Sequence, residues 1–174
     1  MNRDLIERWN ARVATDDEVI VLGDVAMGRI SDTLPLVQLL QGSKTLVPGN
    51  HDRCWEGLRH KKKQSVDRWA VEYRQVGLTI RPGPIEVDLD GAVVVADHFP
   101  YHGDSQENER YPEWRPVDRG LWLLHGHVHE KWRQAGRMIN VGVDAWAGYP
   151  VAETDLIELI AAGPAQRPPL RWER

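Results

Sequence analysis

Four polar motifs, each placed just after a short apolar run, constrain the fold of this chain more than any other feature. The apolar runs are 19–22, 45–47, 93–96 and 121–124, and the motifs are Gly23-Asp24, Gly49-Asn50-His51-Asp52, His98 and Gly126-His127-Val128-His129. Short apolar runs bounded by turn residues are typical of buried strands. We therefore expect all four motifs to reach the same edge of a sheet.

The pattern between the motifs predicts the fold class. Helical spacing or capping residues predict helices over 3–13, 31–42, 65–77 and 154–162. Asp90-Gly91 separates two alternating runs, 85–89 and 93–96, and predicts an antiparallel hairpin. A last strand is expected within 137–143. Strands and helices alternate in the first half, so the prediction is an α/β chain with α+β elements in its second half.

Length and composition predict one domain over residues 1–163, followed by a loose tail over 164–174. The chain has 174 residues and a single cysteine, Cys54, so no internal disulfide is expected. No apolar run approaches the roughly 20 residues of a membrane span, and the first residues do not resemble a signal peptide. We expect a cytoplasmic protein. A net charge of −4 argues against general binding to nucleic acid, which usually needs a basic surface. Nucleic acid therefore remains a candidate only as a substrate.

The motifs supply carboxylate, amide and imidazole groups, which together are typical ligands of a hydrolytic metal site. Taken singly each is weak, because Gly-Asp is a common turn and a lone histidine such as His98 is usually structural. Taken in order they favour divalent Mn²⁺, Fe²⁺ or Zn²⁺ over Ca²⁺. Two such ions about 3.5–4 Å apart can neutralise a phosphoester and activate water. A closed structural zinc site would be expected to use thiolates, which the motifs lack.

The same series of motifs resembles the calcineurin-like metallophosphoesterase family, in particular its small bacterial and phage members. The resemblance runs over most of the chain and extends to Asn140-Val141-Gly142-Val143-Asp144. It implies a double β-sheet sandwich flanked by helices, with a dinuclear metal site at the strand ends.

The resemblance also implies roles for individual residues. The implied metal ligands are Asp24, which would bridge both ions, Asn50, His98 and His127 at one ion, and His129 at the other. His51 would not bind metal but would contact the phosphate, stabilising the transition state or protonating the leaving oxygen. Asp52 is interpreted as the carboxylate that orients His51, and the alternative is a simple loop cap. His125 is at most a neighbour of the ligands.

One expected motif is missing, because no Asp-x-His precedes Asp24. The first metal would then keep only Asp24 and His129, so we expect strong occupancy of one site and weak occupancy of the other. We interpret the chain as lacking the first strand of the fold. The alternative is a natural variant with a single metal.

These observations predict a metal-dependent phosphoesterase, with phosphodiesters slightly preferred because His51 can protonate a poor leaving group. The alternative is a catalytically weak or inactive metal-binding or scaffold module of the same fold. The long polar loop over residues 101–120 is expected to form a lid or a wall of the substrate site. The substrate and the oligomeric state are left open.

Overall fold

A computed structural model describes residues 2–167 and 169–170, apart from the side chains of residues 60–62. Within these residues the chain forms four α-helices and eight strands in two sheets, which confirms the α/β class. The contacts group into two compact units, Met1–Gly83 and Pro84–Arg174. None of the helices in the described residues is both long and apolar enough to cross a membrane.

The first unit contains a three-stranded parallel sheet. Its strands are β1 (Glu18–Val21), β2 (Ser43–Leu46) and β3 (Leu78–Ile80), in the order β1-β2-β3. Its helices are α1 (Asn2–Asn10), α2 (Ile30–Thr33) and α3 (Arg59–Gln75). Val21 pairs with Leu46 and Leu46 with Ile80, so the strands end together at one edge. The loops that follow β1 and β2 therefore begin side by side.

Two helix predictions in this unit need correction. The helix expected over 31–42 is only the single turn of α2, followed by a 3₁₀-helix over Leu34–Leu39. Pro35 explains this, because it has no N–H to continue α-helical hydrogen bonding. Helix α3 begins at Arg59, so Ser65 lies inside it and does not cap it. Strand β3 was not predicted, because three residues are too short for a clear alternation.

The second unit contains a mixed five-stranded sheet. Its strands are β4 (Ile85–Leu89), β5 (Ala92–Ala96), β6 (Leu123–His125), β7 (Gln134–Ala135) and β8 (Met138–Asn140), in the order β4-β5-β6-β8-β7, and its helix is α4 (Glu153–Ala162). The predicted β4–β5 hairpin is confirmed, and Asp90 and Gly91 both have positive φ, at 52° and 84°. Strands β5, β6 and β8 are parallel, so their carboxyl ends share one edge.

The described part of the C-terminal tail packs more than the sequence suggested. Leu170 is 7% exposed and joins a buried cluster with Leu123, Val128 and Met138. Ala165 forms a β-bridge with Gly136. Burying a leucine side chain contributes about 1.5–3 kcal/mol, which favours the packing of Leu170 in this cluster. Residues 168 and 171–174 lie outside the described part of the chain.

Candidate functional site

In the first unit, two predicted site motifs lie in the loops that follow β1 and β2. Asp24 comes three residues after β1, and Asn50, His51 and Asp52 follow β2. The Oδ1 atom of Asp24 accepts a hydrogen bond from the backbone N–H of His51, at 2.9 Å. The parallel sheet therefore brings these motifs together, as predicted for this half of the chain. The His51 side chain is exposed, so it is open to a ligand in solution.

Asp52 joins the two loops through its buried carboxylate. Oδ2 accepts hydrogen bonds from the backbone N–H groups of Asp24, at 2.7 Å, and Gly49, at 2.8 Å. Oδ1 accepts from the backbone N–H of Val25 and from the hydroxyl of Tyr73, both at 3.2 Å. Burial raises the pKa of Asp52 to about 6, although the N–H groups oppose that rise. These contacts favour the loop-cap alternative, and the orientation of His51 by Asp52 stays a prediction.

Replacing Asp52 is expected to destabilise the first unit. Asp52→Ala would leave three backbone N–H groups without their acceptor. Because each unsatisfied buried donor costs about 1–3 kcal/mol, we expect a loss of about 3 kcal/mol in the free energy of unfolding, measured with urea. Tyr73→Phe removes one hydroxyl, which donates to Asp52 and accepts from the backbone N–H of Arg53, and should cost about 1–2 kcal/mol. Equal losses for the two variants would mean that Asp52 does not join the loops.

In the second unit, the predicted histidines follow parallel strands. His98 lies two residues after β5 and is 1% exposed, and His127 lies two residues after β6 and is 8% exposed. Their ring centroids are 5.2 Å apart, with the planes at 74°. The Phe99 ring also contacts that of His127, at 5.0 Å. His98 and His127 are thus brought together as predicted, in an aromatic environment.

His129 has a more open environment than His127. Its side chain is 51% exposed, and its Nδ1 atom lies 3.4 Å from Oδ2 of Asp144, whose side chain is 58% exposed. The side chain of Asn140 is hydrogen-bonded to the backbone of His129. Nδ2 of Asn140 donates to the carbonyls of His129, at 2.6 Å, and Trp132, at 2.8 Å. Asn140 therefore fixes the backbone of the Gly-His-Val-His motif.

An ion-pair network centred on the buried Asp104 contacts His127. Nε2 of His127 lies 3.1 Å from Oδ2 of Asp104, whose side chain is fully buried. Arg110 and Arg115 also pair with Asp104, at 2.6 and 3.1 Å. Burial alone would raise the pKa of Asp104, but hydrogen bonds from Arg110 and His127 outweigh it and hold the pKa well below its usual range. Asp104 is therefore an ionised carboxylate.

Two of the buried histidines are neutral at pH 7. Burial is the main cause that lowers the pKa of His127 to about 4, and the nearby His98 lowers it further. Burial lowers the pKa of His125 to about 3. The Nδ1 atom of His125 is 2.8 Å from the carbonyl of Gly126, and its buried Nε2 atom has no hydrogen-bond partner among the described residues. Neutral imidazoles retain a lone pair, which is the form that binds metal ions.

Three of the five predicted ligands share an unusual backbone conformation. Six non-glycine residues in the described part of the chain have positive φ, and three of them are predicted metal ligands: Asp24 at 55°, His127 at 66° and His129 at 52°. Such φ values are uncommon for residues with a Cβ atom and cluster at functional sites. In the part of the chain that the structure describes, no three His, Cys, Asp or Glu side chains form a group that could hold a metal ion.

Two important residues were missed by sequence reasoning. Asp104 carried no signal, because its partners Arg110, Arg115 and His127 lie six or more residues away. Asn140 ends a buried strand, as the predicted ligand motifs do, and this position could have identified it. The loop over residues 101–120, predicted as a lid or wall, carries Asp104 and so contacts a predicted ligand.

Comparisons with known proteins identify phage relatives. The chain is 37% identical over 153 residues to the Gene 66 protein of Mycobacterium phage D29, covering 82% of this chain and 74% of that protein. The Gene 66 protein of Mycobacterium phage L5 is 33% identical over 165 residues, covering 90% of this chain and 79% of that protein. No family model matches the chain.

Two more distant similarities span nearly the whole chain. An uncharacterized protein of Methanocaldococcus jannaschii is 25% identical over 172 residues, covering 96% of this chain and 79% of that protein. The crystal structure of a protein of unknown function from Aquifex aeolicus superposes with a TM-score of 0.62 at 23% identity. That match covers 91% of this chain and 84% of the other, and it establishes a shared fold.

Proposed function

The chain belongs to the family of the mycobacteriophage Gene 66 proteins, and we propose that it is a metal-dependent phosphoesterase. The proposed fold is a sandwich of the metallophosphoesterase type, built from its two sheets. The proposed ligands are Asp24, Asn50, His98, His127 and His129. Phosphodiesters are the preferred substrate class.

The backbone conformation of three of the five proposed ligands is the observation that carries this proposal. Asp24, His127 and His129 account for half of the non-glycine residues with positive φ in the described part of the chain. Each such residue costs about 1–2 kcal/mol of local strain. Strain of this kind is retained where a side chain must be aimed at a ligand. A plain structural loop would more simply place glycine at these positions.

The donor chemistry also fits divalent ions. Asp24 offers a carboxylate, Asn50 an amide oxygen, and His127 a neutral imidazole whose pKa of about 4 keeps it unprotonated at pH 7. When bound, such ions would neutralise the charge of a phosphoester and lower the pKa of water. Only Asp24 and His129 are assigned to the first ion, so the second ion has the stronger ligand set.

His51 is proposed to act directly on the substrate. Its side chain is exposed, and its backbone N–H is fixed by the carboxylate of Asp24, 2.9 Å away. An exposed imidazole whose backbone is bonded to a proposed metal ligand can donate a proton to a leaving oxygen. This role uses His51 as a general acid and does not require it to bind metal.

Titration with Mn²⁺ tests the proposal. We expect calorimetry of the metal-free chain to give one tightly bound ion and one weakly bound ion. Hydrolysis of bis(p-nitrophenyl) phosphate should require Mn²⁺ and should disappear with EDTA. His127→Ala, purified in the same way, is the control for contaminating phosphatases and should be inactive.

Other outcomes separate the two functional alternatives. Tight Mn²⁺ binding without any hydrolysis of diester or monoester substrates would support a metal-binding module that lacks catalysis. No Mn²⁺ binding at all would refute the proposed site. Two equally tight ions would mean that further residues complete the first site.

A further inference from the structure

The carboxylate of Asp104 accepts hydrogen bonds on both of its oxygens. Oδ1 accepts from the backbone N–H of Ser105, at 2.8 Å, and from Nη2 of Arg110, at 2.6 Å. Oδ2 accepts from the backbone N–H of Arg110, at 3.0 Å, and from Nη2 of Arg115, at 3.1 Å. The remaining contact of Oδ2 is Nε2 of His127, at 3.1 Å. The carboxylate is fully buried, so water does not compete for these positions.

This arrangement determines which nitrogen of His127 carries the proton. Arginine is always protonated and only donates hydrogen bonds, and an ionised carboxylate only accepts them. Nε2 of His127 must therefore donate to Asp104, which requires an N–H at that atom. In a neutral imidazole the other nitrogen, Nδ1, is then left with its lone pair.

Asp104 is held in place by a second buried side chain of the same loop. Arg115 has a side-chain exposure of only 5%. Its guanidinium donates to the carbonyls of Pro100, at 3.0 Å, Gly103, at 2.8 Å, and Arg110, at 3.0 Å. These bonds fix the turns on both sides of Asp104. The carboxylate thus has a single orientation relative to the imidazole of His127.

We propose that Asp104 is a positioning residue, which holds His127 as the Nε2–H tautomer so that Nδ1 is the atom offered to a metal ion. The inference deepens the proposed function and rests on it for the identity of the ligand. It also gives the loop over residues 101–120 a role. The loop would orient the metal-binding side chain of His127, in addition to any contact with substrate. Partners of this kind fix the tautomer and raise the basicity of metal-binding histidines.

The neighbouring His125 provides an internal comparison. Its Nδ1 atom lies 2.8 Å from the carbonyl of Gly126, an obligatory acceptor, so its proton belongs on Nδ1. His125 and His127 are therefore expected to be opposite tautomers, although only one residue separates them. In each ring the protonated nitrogen is thus the one that faces an obligatory acceptor, Asp104 for His127 and the carbonyl of Gly126 for His125.

Nitrogen-15 NMR of the imidazoles tests the proposal without any metal. In the metal-free wild-type chain at pH 7.5, the two ring nitrogens of each histidine are distinguished by their shifts and couplings. The signals of His127 are assigned from their loss in His127→Ala. We expect the Nε2–H tautomer. Observation of the Nδ1–H tautomer at His127 in the wild-type chain would overturn the proposal, regardless of the Mn²⁺ affinities of the variants.

Asp104→Asn is the matching variant, because it preserves shape while removing the charge and placing a donor in the carboxylate position. We expect loss of the uniform Nε2–H state of His127. Mn²⁺ affinity, measured by calorimetry, should fall by about 10–100-fold. The control is Asp118→Asn, in the same loop, whose carboxylate accepts from the backbone N–H of Gly120. Asp118→Asn should leave both measurements unchanged.

Further outcomes keep the inference separate from the proposed function. If Asp104→Asn fails to fold, Asp104→Glu keeps the charge and should keep the tautomer while weakening Mn²⁺ binding. Unchanged Mn²⁺ affinity in a folded Asp104→Asn chain, within twofold, would overturn the positioning role. If the wild-type chain has the expected tautomer and Asp104→Asn weakens Mn²⁺ binding, but no substrate is hydrolysed, the positioning role stands and the phosphoesterase proposal fails.

Discussion

His51→Ala is expected to lower Mn²⁺-dependent hydrolysis of a phosphodiester by about 10²–10⁴-fold, the usual contribution of a general acid. Mn²⁺ affinity should remain within about twofold of wild type, because His51 is not a proposed ligand. The structure supports this separation. The backbone N–H of His51 donates to Asp24, and that bond survives replacement of the imidazole by a methyl group. Steady-state hydrolysis and calorimetry on the same preparations provide the measurement.

The choice of leaving group makes this prediction sharper. A p-nitrophenolate leaves readily without a proton, whereas an alkoxide requires one. If His51 donates that proton, the loss in His51→Ala should be smaller for a p-nitrophenyl ester than for an alkyl ester of the same phosphate. Equal losses for both esters would assign His51 to charge stabilisation instead of proton transfer. Full activity of His51→Ala on both would remove it from the mechanism.

The parts of this fold that could be predicted from sequence are governed by local chemistry. The Asp90-Gly91 turn predicted the β4–β5 hairpin because both residues tolerate positive φ. Buried strands followed by polar motifs predicted the loops after β1, β2, β5 and β6. Parallel pairing then brings the motifs of each unit to one sheet edge, as seen in the register of Val21 with Leu46. These signals lie within a few residues of each other in sequence.

The features that were missed depend on contacts between distant residues. Asp52 stood beside His51 in sequence, which suggested a carboxylate that orients an imidazole. In the folded chain its carboxylate accepts a hydrogen bond from the backbone N–H of Asp24, 28 residues earlier. Asp104 approaches His127 from 23 residues away, with Arg115 fixing the loop between them. Nothing in the local pattern distinguishes such carboxylates from the other acidic residues of a polar loop.

Asp24→Asn is expected to abolish tight Mn²⁺ binding and hydrolysis together. Asp24 is the only carboxylate among the proposed ligands, and an amide has one oxygen donor where a carboxylate has two. Loss of a residue that supports a ligand lowers metal affinity by about 10–100-fold. We expect Asp24→Asn, which changes a ligand itself, to lower Mn²⁺ affinity by more than that. Hydrolysis measured at low Mn²⁺ should fall in parallel. Calorimetry and activity assays over a range of Mn²⁺ concentrations give both quantities.

The conformation of Asp24 makes asparagine the appropriate substitution. At φ 55°, asparagine is among the few non-glycine residues that tolerate the backbone, whereas alanine would add strain. The amide oxygen of asparagine can also replace Oδ1 as acceptor for the N–H of His51. The metal-free variant should therefore unfold within a few degrees of wild type, so that lost binding reflects lost charge. Wild-type Mn²⁺ affinity in such a folded variant would exclude Asp24 from the ligands, and the proposed bridging role with it.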